Sequence, residues 1–138
     1  MKSISLPKLK LCAALLLARL IRVVLQGISK RIDEIYLWSD SSITLQWINS
    51  QPYLLKTFVA NRVSEIRDIT NTMHWRHVPS EENIADILSR GQLPEEFVKN
   101  YRWKTGPKWL TEDYAKWPTS VMQVVPLCEL KPTYTLTT

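Results

Sequence analysis

From Lys8 to about Lys30 the chain sets Lys8, Arg19, Arg22, Gln26 and Lys30 on one side of a 3.6-residue period, and Leu9, Ala13, Leu16, Leu17, Leu20 and Val24 on the other. That pattern predicts an amphipathic helix, with Pro7 suited to its first turn and the leucine face toward the core. At ~100° per residue Lys10 lies about 200° around from Lys8, on the apolar side. A lysine in a first turn can snorkel outward, which is the plain account of such a position. After Gly27-Ile28-Ser29, Asp33 to Ser39 reads as a buried strand, and Asp40-Ser41-Ser42 starts a helix running to about Asn49. Pro52 opens another helix whose apolar stripe is Leu55, Phe58, Val59, Val63, Ile66 and Ile69. Met73 to Val78 alternates as a strand ended by Pro79, and Glu82 to Ser89 forms a short helix ended by Gly91. The order helix, strand, helix, helix, strand, helix is an α/β pattern.

Beyond Gly91 the periodicity fades. Glu95-Glu96-Phe97-Val98 starts a helical turn, and Trp103-Lys104-Thr105-Gly106-Pro107-Lys108-Trp109-Leu110 interleaves aromatic and basic residues about a Gly-Pro turn. Such interleaving can stack nucleic-acid bases, and tryptophans flanking a turn can equally pack a tail onto its domain. From Val121 on, Pro126, Pro132 and the threonines read as a linker or unordered tail. The expected organisation is a domain over residues 1–92, an extension over 93–120 and a tail over 121–138.

Composition narrows the class. The chain has 138 residues, 45% of them hydrophobic, which is one domain's worth and excludes disordered and collagen-like classes. A net charge of +5 is compatible with a polyanionic partner, but the eighteen Lys and Arg are scattered, so basicity adds little. Cys12 and Cys128 have neither metal-ligand spacing nor the density of a disulfide scaffold, pointing to a reducing intracellular compartment, cytoplasmic or nuclear. Met1-Lys2 ahead of the apolar run Leu11 to Ala18 resembles a signal peptide. Lys8, Lys10, Arg19 and Arg22 bracket that run short of the ~18 apolar residues of a membrane span, which favours a helix in solution and no membrane partner.

The candidate chemistry rests on two carboxylates. Asp40 closes the first strand and Asp86 sits on the short helix after the second, where carboxylates from neighbouring elements can converge on a divalent metal. Taken alone, Asp40 can also serve as the N-cap of the helix that follows it.

With the segments placed, the chain resembles the RNase H-like domain of BEL/Pao-type LTR retrotransposon polyproteins. The resemblance runs from Leu6-Pro7-Lys8-Leu9 with Leu11-Cys12-Ala13-Ala14, through Trp38-Ser39-Asp40-Ser41 and Lys56-Thr57-Phe58-Val59-Ala60-Asn61-Arg62-Val63-Ser64-Glu65-Ile66. It continues through Trp75-Arg76-His77-Val78-Pro79-Ser80 and Asn83-Ile84-Ala85-Asp86, and extends by Ser89-Arg90-Gly91 and Gly106-Pro107-Lys108-Trp109-Leu110. It implies an RNase H-like mixed sheet with flanking helices and hydrolysis of the RNA strand of an RNA/DNA hybrid, with Mg2+ held by carboxylates. It also implies a polyprotein context with reverse transcriptase upstream and integrase downstream.

Asp40 and Asp86 match two of that family's metal-binding carboxylates, and His77 matches a position beside the site. Lys10 aligns with a lost carboxylate, a glutamate in the family. The family's first aspartate and the first three strands have no counterpart, since the chain starts seven residues before the long helix. An ammonium about 4 Å from a divalent ion would cost on the order of 8 kcal/mol at an effective dielectric of 20. The expected reading is therefore a retrotransposon-derived fragment with a degenerate active site and residual nucleic-acid binding. The alternatives are a Mg2+-dependent endoribonuclease completed by the missing strands, and a non-catalytic module binding phosphates through Arg62, Arg67, Lys104 and Lys108. An uncovered sheet edge would also favour self-association.

Overall fold

The computed structural model describes residues 3–119 and 128–132. Helix α1 spans Leu6–Gly27, strand β1 Leu37–Ser39, helix α2 Ser42–Asn49, helix α3 Thr57–Ile69 and strand β2 Trp75–His77. Three shorter helices follow: α4 at Asp86–Arg90, α5 at Pro94–Lys99 and α6 at Tyr101–Thr105. The order through α4 is the one read from the sequence, in a helix-rich α/β arrangement. The sheet consists of β1 and β2, parallel, with Leu37 opposite Trp75, Trp38 opposite Arg76 and Ser39 opposite His77.

Both strands are shorter than expected, three residues each. Residues 72–74 instead form a 3-10 turn in which the Asn71 side chain accepts from the Met73 amide at 2.9 Å. That turn leaves only residues 75–77 extended for the ladder. Pro52 opens a 3-10 turn at Pro52–Leu54 rather than a helix. Leu55 then breaks out to form an antiparallel bridge with Leu130, and α3 starts at Thr57. Of the segment 121–138 read as a tail, residues 128–132 are described. There the Lys56 amide donates to the Glu129 carbonyl at 2.8 Å and the Lys131 amide to that of Leu54 at 2.8 Å.

The largest correction concerns which face of α1 points inward. Leu11, Ala14, Leu15 and Ala18 are buried, chiefly against α3, where Val59, Val63 and Ile66 face them. Leu9, Ala13, Leu16, Leu20 and Val24, expected in the core, are exposed. The reason is that α1 is apolar on two sides. Small Ala14 and Ala18 let α3 approach closely, and this orientation brings three cations of α1 to acids elsewhere. Those pairs are Lys8 with Glu129 at 3.1 Å, Lys10 with Asp40 at 2.6 Å and Arg19 with Glu65 at 2.7 Å. Trp47, Ile48, Leu45, Leu37 and Trp75 complete the core beneath the sheet. No helix among the described residues is long and apolar enough to cross a membrane.

Candidate carboxylate site

Asp40 follows directly on β1, and the strand end is tied down around it. The Val78 amide donates to the Ser39 carbonyl at 3.0 Å, and the Ser41 amide to the Ser39 hydroxyl at 3.2 Å. The N-cap of α2 is Ser41, whose hydroxyl accepts from the Thr44 amide at 3.2 Å, so Asp40 does not act as the cap. Its side chain, 7% exposed, instead turns toward the first turn of α1, where the Lys10 ammonium donates to Oδ1 at 2.6 Å.

Burial raises the pKa of the Asp40 carboxyl. Hydrogen bonds from Lys10 and Asn83 and the Lys10 charge outweigh it, holding the group below the usual aspartate range. Oδ2 is buried with no well-formed hydrogen bond among the described residues. Lys10 lies on a flank of α1, between the face that is buried and the leucine face expected to be. Its ammonium serves Asp40 rather than snorkelling to water.

The other predicted residues are placed differently. Asp86 opens α4, with the Arg90 guanidinium one turn on at 3.8 Å. Asn83 connects the two regions: its side-chain oxygen accepts from the Ala85 amide at 3.2 Å, while its amide helps keep Asp40 ionised. His77, half-buried on β2, stands in register with Ser39, the residue before Asp40. With Trp38, Trp75, Arg76, Tyr114 and Trp117 it lines a cleft of about 330 Å³.

Among the described residues no group of three His, Cys, Asp or Glu side chains is placed to hold a metal ion. One oxygen of Asp40 faces the Lys10 ammonium, and Asp86 lies 3.8 Å from Arg90.

The four basic residues proposed as phosphate contacts divide into two pairs. The Arg62 guanidinium lies 3.6 Å over the Phe58 ring and donates to the Phe58 carbonyl. Arg67 donates to the carbonyls of Ile48 at 3.2 Å and Ser50 at 2.9 Å, closing the C-terminal end of α2. Lys104 and Lys108 are exposed, on α6 and on the 3-10 turn Lys108–Thr111.

The tryptophans of this extension mostly pack inward. Trp109 meets Trp38 with ring centroids 4.8 Å apart and donates to Glu82, and Trp117 packs 5.0 Å from Tyr36. Trp103 is the exception, packed on Phe97 at 5.1 Å.

Sequence reasoning did not assign Asn83 its role toward Asp40.

No curated protein and no solved structure matches the chain. Residues 1–41, the stretch that carries both Lys10 and Asp40, match the family model of the Pao retrotransposon-like RNaseH-like domain.

Proposed function

We propose that the chain is a retrotransposon-derived RNase H-like module whose carboxylate site has been closed by its own ammonium group, leaving it catalytically silent. The observation that carries this reading is the 2.6 Å contact between Lys10 and the buried Asp40. A carboxylate at the end of a strand can take part in a metal site only if its lone pairs are open to the ion. Here one oxygen is occupied by a cation that stays attached to the helix. Exchanging that ammonium for an incoming divalent ion would first break a charge-assisted hydrogen bond, one of the stronger kinds of contact a protein makes. Asp86, at the start of α4, also has a cation near it, the Arg90 guanidinium at 3.8 Å.

Of the four basic residues named as phosphate contacts, Lys104 and Lys108 are the two left exposed for such a role, because Arg62 and Arg67 are engaged within the fold. Such contacts to phosphates would be salt-dependent and indifferent to sequence.

The test is Mg2+ titration of the folded chain with a labelled RNA/DNA hybrid, beside Asp40→Asn. The expected result is no cleavage at any Mg2+ concentration. Cleavage that disappears in Asp40→Asn would show that the site still works with Lys10 in place, and the reading would be wrong.

A further inference from the structure

Between Lys99 and Leu110 the chain carries four cations, Lys99, Arg102, Lys104 and Lys108, and no acid. All four are exposed, and among the described residues none of them forms an ion pair. The acids that flank the stretch, Glu95, Glu96, Glu112 and Asp113, pair with none of them. By contrast Lys8, Lys10, Arg19, Arg31 and Arg90 are each held by a carboxylate.

The backbone that presents these cations is fixed at both ends of α6. The Asn100 side chain accepts from the Trp103 amide at 3.3 Å and donates to Gln92 at 3.2 Å, which sets the start of the helix. Gly106, with φ of 79°, ends it, and a Cβ there would lie 2.8 Å from the Leu110 side chain. Trp103 anchors α6 on Phe97, and Trp109 anchors the next turn on Trp38. At ~100° per residue Tyr101 faces away from Trp103, with Lys104 about 60° to one side of it and Arg102 about 100° to the other. Tyr101 is 75% exposed and, among the described residues, meets no other ring.

On the reading that Lys104 and Lys108 are phosphate contacts, we propose that this surface binds single-stranded nucleic acid. A base stacks on Tyr101, the phosphates on either side of it meet Arg102 and Lys104, and Lys99 and Lys108 extend the track. A single strand presents what the surface complements, an unstacked base face between phosphates. A duplex or hybrid keeps its base faces stacked inside, so Tyr101 would meet only the sugar-phosphate exterior. An anionic lipid surface attracts the same cations but needs an apolar face to bury. The outward face of α6 is instead Tyr101, Arg102, Lys104 and Thr105. Because the frame is already ordered, binding costs side-chain freedom and not backbone.

Fluorescence anisotropy of the full chain with labelled oligothymidylate, oligouridylate and an RNA/DNA hybrid of equal length tests this. At least one single strand should bind about 10-fold more tightly than the hybrid at the same salt, and which one does so tells DNA from RNA as ligand. Tyr101→Ala should weaken single-strand binding about 10-fold and leave hybrid binding unchanged, while Tyr101→Phe should keep it. Arg102→Ala with Lys104→Ala should flatten the slope of log K against log salt by about 1.4, at roughly 0.7 for each lost phosphate contact. Lys30→Ala, which removes an exposed cation elsewhere, should not change the slope. Circular dichroism should be the same in all variants, since every position is exposed. Equal affinity for the hybrid, or single-strand binding indifferent to Tyr101→Ala, would overturn the stacking site and leave Lys104 and Lys108 as plain phosphate contacts. Binding to none of the three nucleic acids would remove both. Retention on phosphatidylserine vesicles without nucleic-acid binding would assign the surface to a membrane and overturn the proposal.

Discussion

At Asp40 two effects oppose one another. Burial disfavours the charged carboxylate, and Lys10 with Asn83 favours it by more. The folded-state pKa lies below the unfolded one, so ionised Asp40 contributes stability at pH values above the ordinary carboxylate range. That contribution is lost as pH falls through the depressed folded value. Lys10→Met keeps the stem and removes the charge, leaving Asp40 ionised, buried and unpaired. With the Lys10 side chain 35% exposed, the cost at pH 7 should be about 1–3 kcal/mol, between that of a surface pair and that of a buried one. Urea denaturation should show the deficit shrinking toward pH 3, where Asp40 in the variant is protonated. A deficit that does not change with pH would mean that the lysine acts through packing alone. The sequence offered Asp40 as a candidate carboxylate, and Lys10 as a lysine among apolar neighbours that needed a reason. Their pairing was not legible there, because it depends on how the first turn of α1 meets the end of a strand thirty residues away.

Among the elements, α1 shows where periodicity stops being informative. Its extent follows from the pattern, and so do the end of α4 at Gly91, with φ of 76°, and the buried stripe of α3. Its inward face does not follow, since an amphipathic pattern singles out one apolar side and this helix has two. The face turned inward is the one whose small Ala14 and Ala18 meet α3 and whose flank brings Lys10 to Asp40, and neither partner is adjacent in sequence. The consequence is a sharp contrast between neighbours. Leu15→Ala should destabilise by about 2–4 kcal/mol through lost burial and a cavity against α3, while Leu16→Ala should change the monomer's stability by less than about 0.5 kcal/mol. Thermal or urea unfolding at low protein concentration measures both, and the reverse order would mean that α1 is turned the other way. A second element-level prediction concerns Arg67, which joins α3 to the end of α2. Arg67→Ala should cost about 1–3 kcal/mol, since two carbonyls lose a charged donor, while Lys104→Ala should leave stability unchanged. Loss of nucleic-acid binding in Arg67→Ala without loss of stability would instead give that residue a phosphate-binding role.

On the scale of the whole molecule, residues far apart in sequence hold the fold closed from its C-terminal side. The Trp47 ring, 1% exposed in the core, donates its N–H to the Cys128 carbonyl at 3.1 Å. Beside it Leu130 pairs with fully buried Leu55, and Glu129 reaches Lys8 at the start of α1. Proline and threonine content gave no sign of this docking, because the contacts are made by backbone groups whose partners lie in α2 and in the turn before α3. Glu129 takes φ of 75°, a conformation unusual for a residue with a side chain, and it is held there by its carbonyl bond to the Lys56 amide. A chain ending at residue 119 would leave the buried indole N–H of Trp47 without an acceptor and uncover Leu55. The loss should be at least about 2 kcal/mol, summing one unsatisfied buried donor and part of a leucine's burial. Trp47→Phe removes the donor, so the truncation should cost less in that background, by about 1 kcal/mol. A double-mutant cycle by urea unfolding reads this coupling directly. If truncation costs the same in the Trp47→Phe background as in the parent chain, the indole bond contributes nothing, and the segment is held by the Leu55 bridge and the Lys8–Glu129 pair alone.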